Sequence, residues 1–169
     1  MDIRASKGFS LIELLIVVAI ILIIASIAIP NLMRSRMAAN EASAVTSLRM
    51  LNNAEVTFVL TYESGYTETL NRLGPPAGGG LPTVTRADLV DPVLSGLAAL
   101  GTTTSFIKNG YICVYSPVGG GTIGTITTYS INSDPVSRGN SGQRSFFTNE
   151  PLVIKANATA QATTGDNPL

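Results

Sequence analysis

The hydropathy pattern begins with one long apolar stretch. The twenty residues from Leu14 to Met33 carry no charge. As a helix rising about 1.5 Å per residue, they would cross the roughly 30 Å hydrocarbon core of a bilayer. Arg4 and Lys7 lie just before this stretch, which favours a cytoplasmic N-terminus by the positive-inside rule. A secretory signal peptide cut within "ASIA", residues 25–28, is the alternative. It leaves Glu13 unexplained, so we favour a membrane helix.

After Pro30 the pattern becomes that of an amphipathic helix. Apolar residues recur at steps of three and four, and no glycine occurs between Phe9 and Tyr62. We expect one helix of roughly 50 residues, kinked or locally opened at Pro30, which lacks an N–H, and ended by Gly65. The periodic apolar positions are Met37, Ala44, Leu48, Leu51, Phe58 and Tyr62. The charged positions between them are Arg34, Arg36, Glu41, Arg49 and Glu55.

The C-terminal third has the pattern of a sheet. "NGYICVYSPV" and "GTITTYSINSD" alternate and are rich in aromatic and branched residues, which predicts a hairpin turning at Val118–Gly121. "QRSFFTNEPLVIKAN" predicts a second hairpin turning at Asn149–Pro151. Four antiparallel strands against one helix face make an α+β fold. The residues expected to be buried in it include Ile112, Val114, Ile126, Phe146 and Val153.

The remaining segments predict little regular structure. "RADLVDPVLSGLAALG" suits one or two short helical turns, limited by Pro92 and Gly96. It lies in a long connection between helix and sheet, residues 63–107. The tail at 158–169 is small and polar, and we expect it to be loose.

Composition and charge argue against catalysis. The 169 residues have a formal net charge of zero, no histidine and one cysteine, Cys113. Catalytic triads, Cys/His dyads and histidine-based metal sites are thereby excluded, and we expect no enzyme and no cofactor. There is no basic patch with interleaved aromatics, so no nucleic-acid partner is evident. We expect Cys113 to be a small core residue.

Two other features suggest ligands only weakly. "GGGTIGT", residues 119–125, lacks the Gly-Lys-Ser/Thr of a phosphate loop and lies between strands, which indicates a turn. Asp88 with Asp91, or Asp134 with nearby carbonyls, could in principle hold calcium. No dense acidic loop surrounds them, which favours solvated turn carboxylates.

The N-terminal segment has a recognisable signature. "KGFSLIELLIVVAIILIIASIAIP", residues 7–30, resembles the N-terminus of type IV pilins and of the pseudopilins of type II secretion. The resemblance implies cleavage by a prepilin peptidase after Gly8 and N-methylation of the new first residue, Phe9. It implies that Glu13 pairs with the positively charged Phe9 terminus of a neighbouring subunit. Many major pilins carry a glycine where this chain has Leu22, so unwinding between Leu22 and Pro30 should be harder here.

The resemblance implies a pilin-like plan for the whole chain. The expected parts are a leader (1–8), a transmembrane or filament-core helix (9–33), an amphipathic head helix (34–62), the connection (63–107), and the sheet with its tail (108–169). The implied function is that of a structural filament subunit, anchored in the bacterial inner membrane before assembly and in an extracellular pilus afterwards. Implied partners are further copies of the chain, the prepilin peptidase, the assembly platform and minor pilins. The alternatives are a periplasmic pseudopilin of a secretion or DNA-uptake system and a signal-anchored protein with a binding head.

Overall fold

The computed structural model describes residues 9–98, 101–119 and 126–169. It forms two units that meet in sequence between Arg36 and Met37. One helix, α1 (Leu11–Tyr62), is followed by short 3₁₀ helices at Leu70–Leu73 and Ala77–Gly79. The strands are β1 (Ser105–Lys108), β2 (Tyr111–Gly119), β3 (Ile126–Pro135), β4 (Ser145–Asn149) and β5 (Lys155–Asn157).

The first unit is the apolar part of α1. Its side chains are exposed throughout residues 9–36, apart from a half-buried Ala25. Pro30 lies inside the helix; the expected kink at this position stays a prediction. The helix is long and apolar enough to cross a membrane. Such a surface is stable only when something other than water covers it.

The second unit is an α+β head with a five-stranded antiparallel sheet in the order β1-β2-β3-β4-β5. The predicted fold class is confirmed, and both predicted hairpins pair as antiparallel strands. The sequence predicted four strands and the sheet has five, because the residues of β1 were assigned almost entirely to the connection. Asn109 and Gly110 have φ of 47° and 73°, as a two-residue type I′ hairpin requires. The Asn-Gly pair was therefore the sequence signal for β1.

The buried face of the sheet differs from the predicted face. Ile126 and Phe146 are buried as expected. Ile112 is only half-buried, while Val114 and Val153 are 38% and 41% exposed. In β2 the alternation has period two, as predicted, but its phase is shifted by one residue.

Tyrosines decide the phase of β2. Tyr111, Cys113 and Tyr115 are the buried residues of this strand. The Tyr111 hydroxyl donates to the Arg144 carbonyl at 2.7 Å and the Tyr115 hydroxyl to the Thr67 carbonyl at 2.7 Å. A buried tyrosine contributes a large apolar ring once its hydroxyl has a partner. The face with Tyr111 and Tyr115 is therefore buried in preference to the face with Ile112 and Val114. Cys113 is confirmed as a core residue.

Gly65 has a different role from the predicted helix stop. α1 ends at Tyr62, and Glu63 takes the left-handed conformation with φ 48°. At Gly65 a Cβ would lie 2.3 Å from the Ile126 carbonyl oxygen, which accepts the N–H of Tyr66 at 3.0 Å. Glycine at 65 is required by the close approach of the connection to β3.

The segment around Asp91 forms hydrogen-bonded turns within the length predicted for it, but no regular helix. In its described part, up to residue 98, the Ser95 N–H donates to the Asp91 carbonyl at 3.1 Å and the Leu97 N–H to the Pro92 carbonyl at 3.0 Å. The Asp91 carboxylate accepts the N–H groups of Val93 and Leu94, each at 2.8 Å. The short 3₁₀ helix at Leu70–Leu73 precedes it.

The tail is mostly exposed but is held by hydrogen bonds, so the expectation of a loose terminus was wrong. Ala162 is 1% exposed, and its carbonyl accepts the Asn132 side-chain amide at 2.9 Å. The N–H of Ala156 in β5 donates to the Asn167 carbonyl at 3.1 Å. Residues 158–169 thus hydrogen-bond to the edge of the sheet, which their small side chains allow them to approach closely.

Candidate assembly segment

The start of α1 is capped by one of its own side chains. Glu13 Oε2 accepts the backbone N–H of Ser10 at 3.0 Å. Ser10 precedes the first helical residue, Leu11, and Glu13 is the third residue of the helix. This is the glutamate half of a capping box, in which a carboxylate satisfies an orphan N–H and lies near the positive end of the helix dipole. Glu13 therefore has a local role in the isolated chain.

The predicted processing and assembly residues lie at the same end of the helix. Phe9 and Glu13 are both exposed within the first described turn. Gly8, the predicted cleavage position, lies outside the described residues, as does the rest of the predicted leader. The isolated chain leaves the Glu13 carboxylate accessible to a second group.

The apolar surface that follows is not covered by any other described residues. Large side chains point outward along the whole of residues 11–33, for example Leu11 at 80% and Leu22 at 63% exposure. Burial of such surface yields about 25 cal/mol per Å². The segment is therefore built for a lipid or protein environment.

The comparisons with known proteins concern mainly this segment. The family described as "Prokaryotic N-terminal methylation motif" matches residues 3–29. The resemblance to type IV pilins and pseudopilins is confirmed.

Three curated relatives extend the match. The "Type IV major pilin protein PilA" of Myxococcus xanthus is 41% identical over 69 residues, 41% of this chain and 31% of the relative. The "Type IV wide pilus major component PilA4" of Thermus thermophilus is 60% identical over 38 residues, 22% of this chain and 29% of the relative. The "Type II secretion system core protein G" of Escherichia coli is 32% identical over 106 residues, 63% of this chain and 61% of the relative.

The matches thus cover less than two thirds of each of these relatives. No solved structure gave a significant match.

The pilin-like head contains a buried carboxylate that the sequence pattern missed. Glu41 Oε1 accepts the backbone N–H groups of Gln143 and Arg144 at 2.9 and 3.1 Å, and Oε2 accepts Arg144 Nε at 2.8 Å. Burial alone would raise the pKa of Glu41, but these hydrogen bonds and the guanidinium charge hold the pKa below its usual value. Nearby, the Asn40 side-chain amide donates to the Ser141 carbonyl at 2.8 Å. Together these contacts fasten α1 to the chain between β3 and β4.

A second carboxylate, Glu55, is fully buried in the same helix. It accepts the Thr67 N–H at 3.1 Å and the Thr67 hydroxyl at 2.6 Å. Burial raises the pKa of Glu55 to about 7, although the hydrogen bonds from Thr67 and the nearby Tyr115 hydroxyl act in the opposite direction. The amphipathic pattern placed both glutamates among the charged positions. Glu41 is bound by Gln143 and Arg144, and Glu55 by Thr67. These partners lie beyond the next turns of the helix, so they leave no local signal in the sequence.

The other candidate positions have ordinary partners. Asp91 caps a turn, as described above, and lies 3.7 Å from Lys108 Nζ. Asp134 accepts the Gln161 side-chain amide at 2.9 Å. Burial raises the pKa of the Cys113 thiol to about 12, and its Sγ donates to the Ser133 hydroxyl at 3.1 Å. Among the described residues, no three acidic or cysteine side chains converge as metal ligands would.

A groove lies beside Glu41 in the head, and it is a candidate for the ligand site that the binding-head alternative requires. It has a volume of about 380 Å³ and is lined along α1 by Ala38, Ala42 and Val45. Of its charged lining residues, Glu41 and Arg144 are paired with each other, which leaves Arg49 alone to meet a ligand. A ligand site needs polar groups free to converge on the ligand, so this groove gives no support to the binding-head alternative.

Proposed function

We propose that this chain is a structural subunit of a type IV pilus-like filament. The observation that carries the proposal is the methylation motif over residues 3–29, followed by a helix whose apolar surface is exposed. Before assembly that surface lies in the inner membrane, and in the filament it is covered by helices of further copies. The relatives named as major pilins support this proposal.

Processing would convert the leader into an assembly signal. A prepilin peptidase cleaves after Gly8 and methylates the amine of Phe9. The amine then pairs with Glu13 of a neighbouring copy. Each charge would be costly alone in an apolar core, and pairing removes most of that cost. The assembly platform and minor pilins are the further partners, and the head serves no catalysis.

Glu13 therefore exchanges one partner for another. In the isolated chain it caps Ser10, an interaction that a neutral amide can also make through its oxygen. The filament role requires the negative charge. Glu13→Gln separates the two, because glutamine keeps the cap acceptor and loses the charge.

The test measures assembly in cells that produce the full chain. Sheared filaments are pelleted, and the N-terminal peptide is identified by mass in the pellet and in the membranes. We expect wild type to yield a peptide beginning at methylated Phe9 in the pellet, and Glu13→Gln to be processed but retained in membranes. Glu63→Gln, which alters an exposed glutamate just beyond the other end of α1, is the matched control and should assemble normally. Normal filament yield from Glu13→Gln would leave Glu13 only its capping role.

The relative named as a type II secretion core protein favours a second function. Its match covers 63% of this chain, more than either pilin match. A pseudopilin would form a short periplasmic fibre. Processed peptide confined to the envelope in wild type, with sheared fractions empty, would support that function over a surface pilus.

A further inference from the structure

Among the described residues, the buried carboxylate of Glu55 has no positively charged partner. Ion pairs within the described residues join Arg72 to Glu68, Lys108 to Asp91 and Arg144 to Glu41, and none includes Glu55. An isolated charge buried away from water is costly, and such a group tends to become neutral instead.

Both hydrogen bonds that Glu55 accepts come from one residue, Thr67, twelve positions further along the chain. Thr67 is itself 1% exposed. Its carbonyl accepts the hydroxyl of Tyr115 in β2 at 2.7 Å. The N–H, hydroxyl and carbonyl of Thr67 are therefore all bound, and they hold the segment that leaves α1 against both the helix and the sheet.

The groups that face Glu55 offer it no compensating charge. Tyr66 lies on the connection, Tyr115 on β2 and Tyr129 on β3, and all three rings belong to one cluster. Burial, and after it the charge on Glu55, raises the pKa of both Tyr115 and Tyr129. Glu150, beyond β4, acts on Tyr66 and Tyr129 with the same negative sign. None of these groups carries a positive charge that would stabilise an ionised Glu55.

We propose that Glu55, Thr67 and Tyr115 form a proton-dependent latch, closed when Glu55 is neutral and opened when it ionises. In the closed form the protonated Oε1 donates to the hydroxyl oxygen of Thr67, 2.6 Å away, and Oε2 accepts the Thr67 N–H. Ionisation releases the proton to solvent and leaves a buried charge that only the Thr67 donors and, once the segment opens, water can stabilise. The residues from Glu63 to Leu70 then separate from α1, and water reaches Glu55.

The direction of the pH dependence follows from the two states. Closed, Glu55 has a pKa of about 7; the ordinary value, which it regains on opening, is 4.5. Between these values the open form binds fewer protons than the closed form, so opening becomes more favourable as pH rises. Above pH 7 both forms are ionised, and the equilibrium levels off.

Hydrogen exchange of the full chain in detergent micelles tests the latch. Exchange is followed in peptides covering residues 63–70 at pH 5 and pH 7, and corrected for the intrinsic rate at each pH. We expect opening of this segment to increase about tenfold or more between the two pH values. Peptides from β3 of the same molecule should change far less. In Glu55→Gln the increase should vanish, while Glu63→Gln should behave as wild type.

Two results would overturn the latch. One is wild-type exchange at 63–70 that is independent of pH, and the other is an equal increase in Glu55→Gln. If Glu55→Gln does not fold, the latch is tested by the pH dependence of exchange in the wild-type chain, compared between residues 63–70 and β3. An increase confined to 63–70 supports the latch, and an equal increase in β3 shows global loosening and refutes it. Tyr115→Phe provides a second variant, since it should raise opening at both pH values and leave the pH dependence in place.

Discussion

Replacing Glu41 should destabilise the head more than replacing its charged partner. Glu41→Ala removes the acceptor of three hydrogen bonds, two from the backbone N–H groups of Gln143 and Arg144 and one from Arg144 Nε. Arg144→Met removes only the last of these, together with the contact of the guanidinium with the Phe146 ring, whose centroid lies 5.5 Å from Arg144 Cζ. The comparison separates the ion pair from the anchoring of the backbone.

The contacts set the expected magnitudes. Gln143 and Arg144 are exposed, so water can reach their N–H groups once Glu41 is gone. A hydrogen bond to a charged group still contributes about 1.5–3 kcal/mol, so we expect Glu41→Ala to lower the free energy of unfolding by about 3 kcal/mol. The Arg144 side chain is 45% exposed, and an ion pair that is open to solvent contributes about 1 kcal/mol or less. Arg144→Met should therefore cost about 1 kcal/mol. Glu41→Gln keeps one acceptor oxygen but loses the charge that strengthens these hydrogen bonds. Its loss of stability should therefore lie between those of Arg144→Met and Glu41→Ala.

Urea unfolding of the full chain in micelles measures these differences. Near-ultraviolet circular dichroism reports the head, because Tyr111, Tyr115 and Tyr129 are buried there. The transition midpoint gives the change in stability when the slope is unaltered. A cost for Arg144→Met equal to that of Glu41→Ala would refute the reasoning, since the ion pair would then carry the effect.

The pH dependence of Glu41 gives an independent check. Burial opposes the charge, but the donors from Gln143 and Arg144 outweigh it and lower the pKa in the folded state. The folded state thus binds fewer protons than the unfolded one, and the contribution is complete above the ordinary value of 4.5. It is lost as pH falls through the lowered pKa. The gap between wild type and Glu41→Gln should therefore shrink in acid, and a gap that widened would contradict the assignment.

Two further predictions concern the head. Gly142→Ala would place a Cβ 2.0 Å from the hydroxyl oxygen of Tyr111, whose ring is buried and whose hydroxyl is bound to the Arg144 carbonyl. We expect a loss of about 1–3 kcal/mol in the same urea assay, and an unchanged midpoint would show that the ring can move. Cys113 should resist maleimide at neutral pH and react fully in urea, because burial raises its pKa to about 12; rapid labelling of the folded protein would contradict this.

The sequence was most informative where the signal is local. The apolar run from Leu14 and the amphipathic periodicity after Pro30 predicted one helix of roughly 50 residues, and α1 has 52. The segment at residues 7–30 carries the pilin resemblance. At the other end, α1 terminates at Tyr62 although the residue responsible is Glu63 rather than Gly65.

The sequence was least informative where partners lie far apart. Glu41 meets donors 102 and 103 positions away, so nothing near it in the chain distinguishes it from an exposed helix glutamate. The phase of β2 depends on acceptors at Arg144 and Thr67 for the two tyrosines. Periodicity determines which residues share a face but not which face is buried.

The glutamates of α1 lie in different units of the chain: Glu13 is in the first unit, and Glu41 and Glu55 are in the second. The cluster of buried hydrophobic residues begins at Ala44, so Glu13 has no part in it. A charge change at Glu13 should therefore alter assembly while leaving the tyrosine signal of the head unchanged. Glu41 and Glu55 lie inside the head and respond to pH with opposite sign, since donors stabilise the charge of one and burial destabilises the charge of the other. Loss of filaments from a Glu13 variant whose head unfolds at the wild-type urea midpoint would then report on the assembly contact alone.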